Sequence, residues 1–167
     1  TYSGVDEIYI GLSENAKIIE SAPYKNEKPV VYYGSSITQG GCVSRPGNTY
    51  QAHIERRLNL DYINLGFSGN AKAEDEMADY IANLDMEIFV YDYDHNAPTK
   101  EHLEKTHEKM FKKIRKKNPT LPIIMMTRPQ YTPTEYAKSL KTVIQKTYDN
   151  AVNCGDKNVY LIDGVKL

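Results

Sequence analysis

Short apolar runs alternate along this chain with longer segments whose apolar residues recur every three or four positions. The short runs are rich in Val, Ile and Tyr, and most of them end beside Gly or Asp. Runs of this kind predict buried β-strands. They occupy residues 30–33, 61–65, 86–91, 121–127 and 158–162.

The segments between these strands predict helices. Residues 49–58 place Tyr50, Ile54 and Leu58 on one helical face. Similar stripes mark three further helices: Met77, Ile81 and Leu84; Leu103, Met110, Phe111 and Ile114; Tyr136, Leu140, Val143, Ile144 and Thr147. Alternating strands and helices imply crossovers that cover a parallel sheet on both faces. We therefore predict an α/β protein, a flavodoxin-like three-layer α/β/α sandwich with five parallel strands in the order 2-1-3-4-5.

The beginning of the chain does not follow this alternation. Residues 6–12 alternate in polarity and predict a short strand, and a segment containing two prolines separates it from the first strand of the sheet. We interpret residues 1–27 as a lead-in from a preceding domain and residues 28–167 as one α/β domain. The sequence opens on Thr1 and closes five residues after the last strand, so we expect the parent protein to continue at both ends.

Composition narrows the possible partners. A formal net charge of −1 over 167 residues gives no reason to expect nucleic acid as a partner. No apolar stretch approaches the roughly 18 residues that a membrane span needs. Neither Cys42 nor Cys154 belongs to a CxxC pair, and we expect free thiols and no metal site. The sequence leaves oligomeric state and compartment open, with the cytoplasm favoured over secretion or the periplasm.

Three loops that follow predicted strands carry the candidate chemistry, because the carboxyl ends of parallel strands meet at one edge of a sheet. Residues 34–36 supply Gly-Ser-Ser, residues 66–70 a glycine-rich turn, and residues 95–98 an asparagine. A hydroxyl nucleophile surrounded by main-chain and side-chain N–H donors is what acyl transfer requires. In the simplest alternative, the serine hydroxyls only cap the next helix.

These loops resemble the motifs of the SGNH hydrolases, the GDSL-like esterases and lipases. Residues 34–40, Gly-Ser-Ser-Ile-Thr-Gln-Gly, match the first block of that family, with Ser35 in place of the usual Asp. Residues 64–69, Asn-Leu-Gly-Phe-Ser-Gly, match the second block. Asn96 is the best match to the asparagine of the third block. In these motifs the chain resembles one subgroup of the family, in which a small β-rich domain precedes the hydrolase domain.

The resemblance implies a serine esterase that uses no cofactor and cleaves short acyl esters, with acetyl groups on carbohydrate among the candidates. It assigns Ser36 as the nucleophile, and the N–H groups of Ser36 and Gly69 with the side chain of Asn96 as the oxyanion hole. Arg45 and Arg128 follow predicted strands or turns at the same edge and are candidates for orienting a polar substrate.

The chain departs from the family pattern where the general base is expected. Asp163-Gly-Val-Lys166 stands where an Asp-x-x-His motif would supply it, and the chain then ends. The histidines lie elsewhere, at positions 53, 95, 102 and 107. Asp92-x-x-His95 has the right spacing for a surrogate dyad, but neighbouring Asn96 must already point inward. We therefore expect the base to follow Leu167 and this chain alone to be weakly active or inactive.

The sequence is also compatible with two other functions. In a flavodoxin-like phosphate- or nucleotide-binding module, the glycines of residues 34–41 would surround a phosphate with main-chain N–H groups. No Gly-x-x-x-x-Gly-Lys-[Ser/Thr] or Gly-x-Gly-x-x-Gly motif supports it. Alternatively, a hydrolase-like domain would bind an ester or carbohydrate without turnover.

Overall fold

The computed structural model describes residues 6–166, which contain a sheet of five parallel strands. The strands are β1 Val30–Gly34, β2 Tyr62–Gly66, β3 Ile88–Asp92, β4 Ile123–Met126 and β5 Val159–Ile162. Their order across the sheet is β2-β1-β3-β4-β5. The predicted flavodoxin-like topology is therefore confirmed, and β1 lies between β2 and β3.

Helices connect the strands. They are α1 Ser36–Gln39, α2 Tyr50–Leu58, α3 Asp75–Ala82, α4 Lys100–Lys117 and α5 Glu135–Asn153. The last four are the helices that the apolar stripes predicted. The first, α1, is a single helical turn for which the sequence predicted only a loop. Three-residue 3₁₀ turns at Pro46–Asn48 and Asp94–Asn96 complete the connections that matter for the site.

The side chains of the sheet divide into two apolar layers, because successive strand residues point to opposite faces. On one face, Tyr33, Phe89 and Tyr91 pack within a large buried cluster that α3, α4 and α5 share. On the other face, a smaller cluster of Val30, Tyr32 and Val90 receives Tyr50 from α2 and partly buried residues of the strands. Over β5 this second face is less covered, and Tyr160 is 50% exposed.

Threonine side chains fix where three of the helices begin. Thr49, Thr99 and Thr134 each accept a hydrogen bond from the main-chain N–H three residues later. Such caps satisfy one of the N–H groups that a helix start leaves without a partner, and each contributes about 1 kcal/mol. Each cap therefore stabilises the first turn of its own helix.

The short strand predicted for residues 6–12 is wrong. These residues have no regular secondary structure and pair with no other strand among residues 6–166. Ile8 and Ile10 are more than three-quarters exposed. Alternation in polarity gives a strand only where a neighbouring strand is available to pair with it, and no described segment lies beside this one.

Both cysteines lie in the part of the chain that the structure describes. Cys42 and Cys154 are both exposed free thiols. None of the helices in residues 6–166 combines the length and apolar character that crossing a bilayer would require. Within the same residues, no three His, Cys, Asp or Glu side chains are grouped so that they could hold a metal ion.

Candidate active site

Three strands end at the same level of the sheet. Gly34, the last residue of β1, is in register with Gly66 of β2 on one side and with Asp92 of β3 on the other. The loops that follow these strands therefore leave the sheet side by side. This register places the three predicted motifs at one edge.

The turn after β1 presents Ser36 and buries Ser35. The Ser35 side chain is fully buried, and its Oγ accepts a hydrogen bond from the Ile37 N–H at 3.2 Å, so Ser35 is the N-cap of α1. Ser36, the first residue of α1, is partly exposed. The capping alternative thus applies to Ser35, and the Ser36 hydroxyl has no hydrogen-bond partner within residues 6–166.

Glycine is required before this turn because the backbone packs too closely for a side chain. A Cβ at Gly34 would lie 2.1 Å from Thr38 Oγ1 and 2.2 Å from the Asp92 main-chain oxygen. Both distances are far below van der Waals contact. The absence of a side chain at this position lets α1 fold back against β1 and β3.

The loop after β2 is attached to α1 by polar contacts. The side-chain N–H of Asn64 donates to the main-chain oxygen of Thr38 at 2.7 Å, and its Oδ1 accepts a hydrogen bond from the Gly66 N–H at 2.9 Å. The Ser68 N–H donates to Gln39 Oε1 at 2.8 Å. A Cβ at Gly66 would lie 2.1 Å from the Gln39 nitrogen. The asparagine and the first glycine of the second motif therefore join the two loops.

Gly69 lies in the exposed turn of this second loop. Its φ of +68° is in the left-handed region, which favours glycine. Apart from Gly69 and its two chain neighbours, no described residue has an atom within 4 Å of the position that its Cβ would occupy. Within the described chain, no main-chain oxygen accepts a hydrogen bond from the N–H of Gly69 or of Ser36.

Asn96 connects the third loop with the second. It ends the 3₁₀ turn Asp94–Asn96 after β3, and its side-chain N–H donates to the Phe67 oxygen at 2.6 Å. The same oxygen accepts hydrogen bonds from the main-chain N–H groups of Asn70 and Ala71 at 3.1 and 3.3 Å. The side chain of Asn96 is therefore fixed against the turn that contains Gly69.

Two buried carboxyl groups follow along the third loop. Asp92 and Asp94 are 3% and 1% exposed. The guanidinium of Arg128 donates to the Asp94 main-chain oxygen at 2.7 Å and to Asp94 Oδ2 at 3.3 Å. Asp92 Oδ2 accepts a hydrogen bond from Thr38 Oγ1 at 3.2 Å. Burial, and then the neighbouring charge of Asp94, raise the pKa of Asp92 to about 7.

The two arginines named from the sequence lie in different surroundings. Arg45 is exposed just before the 3₁₀ turn Pro46–Asn48. The side chain of Arg128 is 15% exposed and is engaged by Asp94. The contacts of Arg128 therefore stabilise the loop after β3, whereas Arg45 has a side chain that is accessible to solutes.

Each histidine lies in a distinct environment. His53 contacts Arg56, His102 contacts the Lys72 oxygen, and His107 contacts Thr147. His95 is partly buried, its Nε2 has no hydrogen-bond partner among the described residues, and burial lowers its pKa. None of these four side chains hydrogen-bonds to Ser36 within residues 6–166.

The end of the chain is held by a separate set of contacts. Asp163 accepts a hydrogen bond from Lys141 Nζ at 2.6 Å, and this contact lowers its pKa. The Gly164 N–H donates to Thr127 Oγ1 at 3.0 Å. Asp163 therefore pairs with α5 in this structure.

Sequence reasoning missed several residues that organise the site. Ser35 was predicted as a substitution and as one of two serines that could cap a helix, Asp92 only as part of a surrogate dyad, and Gln39 not at all. Asp92 carried one detectable signal, since an acidic residue directly follows a strand predicted to be fully buried. The contacts of Gln39 join segments 29 residues apart, and spacing within the sequence cannot show them.

Comparison with known proteins places this arrangement in a family. A sequence profile described as the GDSL-like lipase/acylhydrolase family matches residues 27–167. The comparison with curated proteins finds no match. Three similar solved structures illustrate what the chain resembles.

The first of these structures is a protein from Bacteroides ovatus described as a GDSL-like lipase. It is 31% identical with a TM-score of 0.76, over 86% of this chain and 44% of that one. The salicylyl-acyltransferase SsfX3 of a tetracycline biosynthetic pathway is 20% identical with a TM-score of 0.73, over 84% and 44% of the respective chains.

The third is an active-site mutant of a family two carbohydrate esterase from Clostridium thermocellum. It is 14% identical with a TM-score of 0.67, over 86% of this chain and 54% of that one. At identities below 25%, the second and third structures show a shared fold. This chain spans about half the length of each of the three proteins.

Proposed function

Because this chain belongs to the GDSL-like lipase/acylhydrolase family, we propose that it is a serine ester hydrolase in which Ser36 is the nucleophile. Family membership and the esterases among its structural neighbours support ester hydrolysis in general. One observation carries the assignment of residues. The loops after β2, β1 and β3 are attached to one another through Gln39 and Asn96, beside a serine whose hydroxyl is not used in capping.

The proposed reaction has two steps. Ser36 Oγ attacks the ester carbonyl carbon, its proton passes to a general base, and the alcohol leaves after taking up a proton. Water then attacks the acyl-serine, which releases the carboxylic acid and restores the hydroxyl. Histidines 53, 102 and 107 are held by other groups, and His95 makes no hydrogen bond to Ser36 within residues 6–166. We therefore assign the base to a group outside these residues.

The negative charge that develops on the carbonyl oxygen requires N–H donors placed in advance. We assign this role to the main-chain N–H groups of Ser36 and Gly69 and to the side chain of Asn96. An amide nitrogen carries two protons, and Phe67 accepts one from Asn96. The other remains for the oxyanion, while the first keeps the amide oriented.

The substrate class is proposed from chemistry and similarity together. The carbohydrate esterase among the structural neighbours supports an acylated carbohydrate, with a short acyl group such as acetyl. Arg45 is exposed and suits contact with polar groups of the alcohol. Arg128 is engaged by Asp94, so its proposed contribution to substrate orientation is through the loop that carries Asn96.

The phosphate-binding alternative has less support from the geometry. The single turn of α1 offers few free N–H groups, since Ser35 Oγ accepts the Ile37 N–H and the Ser35 oxygen accepts the Gln39 N–H. A phosphate cradle needs several such donors to converge. A hydrolase-like domain without turnover would differ from the esterase only in the reactivity of Ser36, which covalent labelling measures.

A fluorophosphonate probe tests the proposal, because it forms a covalent bond only with an activated serine. In the longest natural form of the protein, we expect labelling of the peptide that contains Ser36 and loss of labelling in Ser36→Ala. Ser35→Ala is the matched control. It should lower the stability by about 1 kcal/mol, because the N-cap of α1 is lost, and Ser36 should still be labelled. If Ser36 is not labelled and the protein hydrolyses no acyl ester, the proposal of an esterase is overturned. Binding of inorganic phosphate by the same protein would then favour the alternative.

A further inference from the structure

Asp92 lies next to the turn that carries Ser36 and contacts it twice. Its main-chain oxygen accepts a hydrogen bond from the Ser35 N–H at 3.2 Å. Its side-chain Oδ2 accepts one from Thr38 Oγ1 at 3.2 Å. These two contacts reach the residue immediately before Ser36 and the residue two positions after it. The conformation of the nucleophile turn is therefore linked to Asp92 from both sides.

The Asp92 carboxyl group is poorly solvated for a charged group. It is 3% exposed, and its Oδ1 is buried without a hydrogen-bond partner among residues 6–166. An ionised carboxylate accepts about four hydrogen bonds, whereas Thr38 supplies one. Burial of an ionised carboxylate with so few donors is strongly unfavourable, and burial of a protonated carboxyl group is much less so.

The charged and titratable groups around Asp92 come from three elements. Asp94 of the 3₁₀ turn raises its pKa, and Arg128 after β4 lowers it by less than burial and Asp94 raise it. Tyr50 of α2 donates to Thr38 Oγ1 at 3.4 Å, and burial followed by the charge of Asp92 raises the Tyr50 pKa. The net result favours the neutral form of Asp92 up to about pH 7.

We propose that Asp92 is a positioning residue for Ser36, which acts through Ser35 and Thr38 and holds the nucleophile turn in place while its carboxyl group is protonated. The inference rests on the proposed role of Ser36 as the nucleophile. In this role Asp92 affects the reaction of Ser36 without touching the substrate.

Ionisation of Asp92 changes the turn for two reasons. A buried charge with a single donor draws in water or moves away from its apolar surroundings. β3 is paired on both sides, whereas α1 is a single turn, so α1 is the part that moves. A negative charge beside the turn also opposes the charge that develops on the ester oxygen.

Nuclear magnetic resonance tests the link without any need for catalysis. The carboxyl carbon of Asp92 should titrate near pH 7, and the main-chain amide of Ser36 should shift with the same midpoint. In Asp92→Asn the Ser36 amide should not titrate near pH 7. In Thr38→Val the carboxyl group should still titrate, while the response at Ser36 becomes smaller. Asp163→Asn, which removes a strand-end acid that pairs with Lys141, is the matched control and should leave the Ser36 titration unchanged.

Reactivity provides the second measurement. The rate of fluorophosphonate labelling of Ser36 should fall above pH 7, approaching about tenfold per pH unit if only the protonated form positions the turn. Asp92→Asn should remove this alkaline decline and keep the rate at pH 6 within about threefold of the wild type, because the amide restores the neutral form.

The outcomes separate the two proposals. If wild-type Ser36 is not labelled at any pH, the esterase assignment fails, and the magnetic resonance titration still decides the positioning role. The positioning role is overturned if Asp92 titrates below pH 5, if the Ser36 amide does not follow it, or if Asp92→Asn keeps the wild-type alkaline decline. If Asp92→Asn does not fold, Thr38→Val provides the test instead. The positioning role then requires that the Ser36 amide respond less to the titration of the Asp92 carboxyl group than in the wild type.

Discussion

The side-chain N–H of Asn96 donates to the main-chain oxygen of Phe67 at 2.6 Å, and this contact joins loops that are 29 residues apart in the sequence. It orients the amide before any substrate binds. An oxyanion donor that is already oriented costs no reorganisation during the reaction. The contact therefore suits Asn96 for the role proposed for it, and it also makes Asn96 part of the loop structure.

Asn96→Ala should lower the rate of Ser36 labelling by about 10²–10³-fold, since loss of one oxyanion donor has effects of that size. Asn70→Ala is the matched control, because Asn70 also donates its amide N–H within the second loop, to the Ser68 oxygen, and has no proposed catalytic role. Labelling rates and thermal unfolding should be measured for both. Equal loss of labelling in the two variants would show that Asn96 acts only by holding the loop.

Gly66→Ala should destabilise the fold and abolish labelling. The added Cβ would lie 2.1 Å from the Gln39 nitrogen, so either α1 or the end of β2 must move, at a cost of about 1–3 kcal/mol or more. Gly47→Ala, where the nearest atom would be Arg56 Nη1 at 3.6 Å, is the control and should neither destabilise the fold nor abolish labelling. Urea denaturation gives the stability of each protein. A Gly66→Ala variant with wild-type stability and labelling would contradict the close approach.

His107 should make the protein less stable in acid. It is fully buried against Tyr91, and burial lowers its pKa to about 3 from 6.5. The unfolded chain therefore binds a proton that the folded chain does not, between about pH 6.5 and pH 3. The contribution of His107 is present above pH 6.5 and is lost as the pH falls. His107→Gln should remove about 2–3 kcal/mol of the stability difference between pH 7 and pH 4.5, as measured by urea denaturation. An unchanged difference would contradict the buried neutral imidazole.

Asp92 should have the opposite effect on stability. Its pKa is raised to about 7 from 3.8, so the folded chain holds a proton that the unfolded chain releases. Its contribution is present below pH 3.8 and is lost as the pH rises to about 7. Relative to the wild type, Asp92→Asn should therefore gain about 2–3 kcal/mol of stability between pH 5 and pH 8. A constant difference over this range would show that the carboxyl group is already ionised at pH 5.

Arg128 and Arg45 should respond differently to substitution. Arg128→Ala leaves the buried Asp94 without its cationic partner, and breaking a buried pair in this way costs about 3–5 kcal/mol. Arg45→Ala removes an exposed side chain, and we expect stability within about 0.5 kcal/mol of the wild type. Thermal unfolding measures the first effect, and KM for an acylated sugar tests the proposed contact of Arg45. Equal stability of the two variants would contradict the structural role of Arg128.

The parts of this structure that depend on periodicity could be predicted from the sequence. The five strands are short and apolar, and four helices carry clear stripes, which predicted a parallel sheet with crossover helices. The order of the strands was predicted from the common flavodoxin-like arrangement of such sheets. The prediction for residues 6–12 was wrong, because alternation says nothing about whether a partner strand is present. The helical turn α1 was missed because its four residues are too few to show a period.

The candidate site was predictable only as residue types at strand ends. That Ser35 is the cap and Ser36 is not depends on which hydroxyl faces the Ile37 N–H, and two adjacent serines look the same in a sequence. The contact of Asp92 with Thr38 spans 54 residues. Such contacts arise from the register of the sheet, which the order of the residues does not reveal.

That register has a consequence for how the protein tolerates change. Gly34 is opposite both Gly66 and Asp92, so the relative heights of the three loops are set by hydrogen bonds between the strands. A shift of one residue along either neighbour would turn every side chain of that strand to the other face. Insertions in the exposed turn around Gly69 should therefore cost far less folding stability than one inserted residue within β2, even though that turn carries a proposed oxyanion donor.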